Sequence, residues 1–173
     1  MKQLSIATAL LLAFAPSAFA DENIRVRLNG LQEVPYVSTP GHARITAEIN
    51  KAGTAIDWTL DYADMQADVT QAHIHIGQFR VNGAIVLWLC KTTQVTTGTD
   101  NICTPRSGSF SGTFTGDHVQ NVPAQGFAPG ELDEVIAAIR AGAAYANIHT
   151  QTSPGGEIRG QLRSRRHGHD HDD

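Results

Sequence analysis

The sequence predicts an all-β domain, an antiparallel Greek-key-like sandwich or flattened barrel of seven to eight strands with one short helix. Three features carry this. Apolar and polar side chains alternate with a period of two in most segments, glycine- and proline-marked turns separate those segments, and one stretch alone has helical spacing.

The elements follow in chain order. Ile24, Val26 and Leu28 alternate with Arg25, Arg27 and Asn29, and Ala43, Ile45, Ala47 and Ile49 alternate with His42, Arg44, Thr46 and Glu48. Ile56, Trp58, Leu60 and Tyr62 alternate with Asp57, Thr59 and Asp61. Each pattern marks a strand with one buried face. Ala72 to Gly77 is the fourth strand, and the stretch from Gly83 to Cys90 is apolar on both faces, so it reads as the most central one. Ser109 to Thr115 follows, with Phe110 and Phe114 about Gly112. Leu132, Val135, Ile136 and Ile139 then fall at helical spacing. Acidic residues open that stretch, Arg140 closes it, and Gly142 is a stop. Tyr145 to Thr150 and Glu157 to Leu162 complete the strands. The turns are Pro40-Gly41, Ala52-Gly53, Pro154-Gly155-Gly156 and Asn82-Gly83, the last suggesting a tight hairpin after Phe79.

Residues 1–20 carry Lys2, the apolar run Leu10 to Phe14 and the small-x-small ending Ala18-Phe19-Ala20. That is a secretory signal peptide with cleavage before Asp21, and no later run is long enough for a membrane-spanning helix. The expected location is periplasmic or secreted. Removing the segment leaves 12 basic against 17 acidic residues, which argues against nucleic acid or an anionic membrane as partner. Cys90 and Cys103, the only two cysteines, suit one disulfide in an oxidising compartment, worth about 3 kcal/mol for a loop of that size. Residues 21–163 then form one domain, and 164–173 a disordered tail rich in His and Asp.

The chemistry-bearing residues are histidines. In Ala72-His73-Ile74-His75-Ile76-Gly77 the two imidazoles share a strand face, opposite Ile74 and Ile76, and Asn147-Ile148-His149-Thr150 repeats that geometry. Brought together, His73, His75 and His149 form a nitrogen-only set that suits copper first and zinc second. Ligating imidazoles usually pass their other N–H to a polar partner, for which Asn147, Tyr145, Glu157, His42 and Asp61 are candidates. The competing reading makes the same histidines solvent-facing, or members of a structural polar network with Asn147, Glu157 and Arg159. In the tail, His167, His169 and His171 form a weak chelating run.

Ala72 to Gly77, then Asn82-Gly83-Ala84-Ile85-Val86 and Leu89-Cys90, resemble the first half of a CHRD domain, the module named after chordin. Ala144 to Thr150, then Ser153-Pro154-Gly155-Gly156-Glu157-Ile158-Arg159-Gly160-Gln161-Leu162, resemble the second half. The resemblance spans residues 24 to 163 and implies an exported all-β domain; chordin itself binds growth factors outside cells. The His-x-His strand is also similar to that of copper-zinc superoxide dismutase. Here, however, Gln78, Phe79, Arg80 and Val81 stand where a histidine-rich loop would supply a bridging imidazole and zinc ligands.

Support for other catalysis is thin. Ser107, Ser109 and Ser111 lack a nucleophile-elbow pattern, and Asp57 and Asp61 share an exposed strand face. The chain therefore reads as a non-enzyme, with metal-dependent redox activity left open. Two functions stand. One is an exported protein that binds copper for storage, delivery or scavenging. The other is a CHRD interaction module that binds a protein or cell-envelope partner, its histidines structural. A dismutase-like redox enzyme is a minor third.

Overall fold

A computed structural model of the chain describes residues 22–92 and 99–166. The signal segment and the tail histidines His167, His169 and His171 lie outside the described residues. The strands are β1 (Glu22–Asn29), β2 (His42–Ile49), β3 (Ile56–Ala63), β4 (Val69–Ile76), β5 (Ile85–Lys91), β6 (Gly108–Phe114), β7 (Ala144–Thr150), β8 (Ile158–Leu162) and β9 (Ser164–Arg166). One helix, α1 (Leu132–Arg140), precedes β7. The strands form one antiparallel sheet in the order β5-β4-β7-β8-β1-β2-β3-β6, curled into a nearly closed barrel.

The predicted alternation sets the wall. Ile24, Leu28, Ile45, Ile49, Ile56, Trp58 and Leu60 point into the core, where Ala72, Ile74, Ile148 and Ile158 meet them from the other strands. Such a barrel is filled by side chains, and each buried aliphatic contributes about 1.5–3 kcal/mol. Helix α1 buries Leu132, Val135, Ile136 and Ile139, the predicted stripe. It ends where expected: Gly142 sits at φ 67°, and its N–H donates to Ile139 O.

Three expectations change. The Gly83–Cys90 segment is not central, because β5 stands at one end of the sheet. Its apolar pattern has another cause: the outer edge of β5 is covered. Gln120 N–H donates to Val86 O, and the Cys90–Cys103 disulfide draws Asn101 to Cys103 alongside Lys91. Nor is Asn82-Gly83 a two-residue hairpin turn, since β4 and β5 are joined by the whole run from Gly77 to Ala84. Asn82 is used elsewhere, donating to Val34 O and accepting from Arg159. Finally, the tail boundary falls later than residue 164. Asn29 pairs with Arg159 and Ile24 with Ser164 in the same register, so β8 and β9 are one strand interrupted at Arg163. The physical reason is an edge: without β9 the first half of β1 would carry unpaired backbone groups.

Candidate metal centre

The alternation that sends Ile74 and Ile76 inward turns His73 and His75 to the other side of the sheet. On β7 it does the same for Tyr145, Asn147 and His149, and the register sets His75 opposite Tyr145 and His73 opposite Asn147. Arg159 joins them from β8, opposite Asn147. This face does not meet solvent. His73 is 0% exposed and His75 and His149 are each 7% exposed, because the connections 30–41, 77–84 and 151–157 lie over them.

The three imidazoles converge. One ring nitrogen from each lies within 4.8 Å of the others, and all three residues are buried. His73 lies between its partners, with ring centroids 4.6 Å from both His75 and His149. Two tautomers are fixed by the main chain. The Nδ1 of His75 is 2.8 Å from Gly83 O, and that of His149 is 2.8 Å from Pro154 O. A carbonyl oxygen only accepts, so both Nδ1 atoms carry the proton and both Nε2 atoms present lone pairs inward. Neither nitrogen of His73 makes a hydrogen bond of ordinary geometry, although the Asn147 side chain lies close enough to favour its charged form.

Gly83 is required at its position. A Cβ there would lie 1.6 Å from Ile76 O, so only glycine lets the loop return close enough for its carbonyl to hold His75. Its N–H donates to the Tyr145 hydroxyl at 3.1 Å. The Tyr145 ring stacks on His75 at 4.7 Å with an interplanar angle of 2°. The Arg159 guanidinium lies 3.4 Å above the Tyr145 ring, donating to Asn82 Oδ1, Val81 O and Gln78 O. Arg159 thus clips the 77–84 loop over the site. Trp88 closes the other flank, its ring edge-on to His73 at 5.0 Å.

Burial dominates the electrostatics. It holds His73 well below the ordinary imidazole range, and His75 and His149 add repulsion. Burial likewise lowers His149 and brings His75 to about 4, outweighing its bond to Gly83 and the nearby Asn147. At neutral pH the cluster is uncharged and its lone pairs are free to ligate. Glu33 is displaced in the opposite sense: burial raises it to about 7 against the Val34 N–H, the Arg159 charge and the Asn147 amide.

The other proposed neighbours divide. Asn147 lies among the imidazoles, with Oδ1 3.0 Å from His75 Nε2 and 3.1 Å from His149 Nε2. Glu157 is fully buried but is bound by Thr39 Oγ1, Gln66 N and Thr150 Oγ1, and so anchors the 151–157 turn. His42 is exposed near Asp64, and Asp61 accepts from Ser109, so neither is in the centre. Both sit on the β1–β2–β3–β6 half of the barrel, away from β4 and β7. Sequence reasoning missed Glu33 and Trp88. Glu33 sits in a loop with no periodicity, and Trp88 was hidden within a continuous apolar run.

Fold and centre together define an all-β barrel domain with a buried cluster of three imidazoles on its wall. The chain belongs to the CHRD domain family, whose pattern matches residues 24–162. No curated protein and no solved structure matches it.

Proposed function

We propose that this protein is an exported, non-enzymatic metal-binding protein of the periplasm or cell exterior. It takes up copper through His73, His75 and His149 for storage, delivery or scavenging. The observation that carries this reading is His73, fully buried with two unpartnered ring nitrogens between two neighbours whose lone pairs face inward. Buried polar groups are rarely left unpaired, and the Asn147 side chain beside His73 does not complete a hydrogen bond to either of its nitrogens. A cation accepts all three lone pairs at once. Copper is favoured over zinc because the donors are imidazoles, Cu(II) heads the affinity order for nitrogen sites, and both cysteines are held in the disulfide.

The test is Cu(II) titration of metal-free protein purified without a chelating resin. One tight equivalent is expected in a chain ending at residue 166. His75→Ala or His149→Ala should lower affinity about tenfold or more with the fold intact. Equal affinity in the variant with all three histidines replaced by alanine would end the reading.

The interaction module keeps support from a separate observation. Leu31, Tyr36, Phe79 and Val81 are 75%, 60%, 55% and 49% exposed on the connections that cover the histidines. Such side chains suit contact with another protein. A dismutase-like role is the weakest reading, because the imidazoles are buried and Gln78, Phe79, Arg80 and Val81 follow His75 where a histidine-rich loop would be needed.

A further inference from the structure

The Asn147 carboxamide sits where a ligand would. Its Oδ1 is 3.0 Å from His75 Nε2 and 3.1 Å from His149 Nε2. Both of those nitrogens bear lone pairs, because Gly83 O and Pro154 O hold the protons on Nδ1. Three acceptor atoms therefore point at one another with no hydrogen among them. The amide nitrogen is turned away, toward Gly156: a Cβ built there would lie 2.8 Å from Asn147 Nδ2 and 2.5 Å from Glu33 Oε1. Gly156, at φ 122°, leaves room for this pair. A cation would satisfy all three lone pairs at once; the alternative is an inverted amide whose two N–H groups face the two Nε2 atoms. Donors around a tetrahedral ion with bonds of about 2.0 Å are about 3.3 Å apart, close to both Asn147 separations, while the imidazole nitrogens lie within a wider 4.8 Å of one another.

We propose that Asn147 is the fourth metal-binding residue, its Oδ1 completing a three-nitrogen, one-oxygen set with His73, His75 and His149. This rests on the metal reading above and adds to it a selectivity between oxidation states. An amide oxygen is a hard donor that supports Cu(II), whereas Cu(I) prefers soft ligands and gains little from it. Asn147 thus tightens the site for the oxidised ion alone, and reduction weakens the hold on the metal.

The experiment compares wild type, Asn147→Leu and Asn147→Asp, each metal-free and each checked for native circular dichroism. Cu(II) affinity is measured by competition, Cu(I) affinity by competition under reductant, and the Cu(II) donor set by electron paramagnetic resonance. Asn147→Leu should lose about tenfold or more in Cu(II) affinity, with Cu(I) affinity unchanged and the spectrum altered. Asn147→Asp, which keeps an oxygen, should retain wild-type Cu(II) affinity or exceed it. Should Asn147→Leu fail to fold, Asn147→Asp and the wild-type spectrum decide alone, the latter showing oxygen beside nitrogen. Unchanged or tighter Cu(II) binding in Asn147→Leu would show that the amide only plugs the site, and weakened binding in Asn147→Asp would equally overturn the proposal. In either case the trihistidine reading would survive. Absence of tight Cu(II) binding in wild type would overturn both.

Discussion

Glu33 and His75 should oppose each other in the acid stability of the metal-free protein. His75 falls from 6.5 when unfolded to about 4 when folded. Between those values the unfolded chain binds a proton that the folded chain refuses, so the His75 contribution is present above 6.5 and is lost as pH falls toward 4. The loss is about 3 kcal/mol, at about 1.4 kcal/mol per tenfold change in proton affinity. Glu33 rises from 4.5 to about 7. Its contribution is present below 4.5 and is lost as pH rises toward 7, again by about 3 kcal/mol. In wild type the two terms largely cancel between pH 4.5 and 6.5. Glu33→Gln removes one and should steepen the acid loss by about 3 kcal/mol relative to wild type. The assay is urea unfolding with a chelator present, followed through Trp58 and Trp88 at pH 7, 5.5 and 4.5. His73 and His149 also lose stability on acidification, but their share is common to both proteins and drops out of the difference. Parallel stability curves for wild type and Glu33→Gln would refute the assignment of Glu33 as a buried, neutral group.

Two further outcomes follow from the packing. Arg159→Ala should cost about 2–4 kcal/mol by leaving three loop acceptors unpaired, and should speed amide hydrogen exchange across 77–84 before it does so in β1–β3; uniform exchange would deny the clip. Ending the chain at residue 166 should leave the denaturation midpoint in place, whereas ending it at 163 removes β9 and should lower it; equal midpoints would mean that β9 adds nothing to the sheet.

Much of the barrel was legible because one face of each strand is buried. Ile45 and Leu60 alternate with exposed Arg44 and Asp61, and that contrast is visible without coordinates. The histidine pair was legible for the same reason, since a period of two fixes which side chains travel together. What the pattern could not reveal is which polar face is covered. β2 and β4 both carry polar residues opposite their core face, yet His42 is exposed and His73 is fully buried. The difference lies in loops that arrive from far along the chain, bringing Glu33, Gly83 and Pro154 to the wall. Loop paths depend on single contacts such as Asn82 with Val34 and Arg159, which leave no periodic trace. Similarly, β5 looked central because a covered edge strand and a central strand bury the same surface.

The pairing of β1 with the last strand has a consequence for the order of assembly. β1 can pair with β2 as soon as residue 49 is available, but its other edge is met only by Arg159 and Ser164 to Arg166. Until nearly the whole chain is present, a row of unsatisfied backbone donors and acceptors stands open beside a hairpin that is already formed. Long-range closure of this kind slows folding and invites pairing with other chains. The outward side chains of β1 answer that hazard: Asn23, Arg25 and Arg27 set polar and like-charged groups along the waiting edge, so two immature copies repel where they would otherwise zip together.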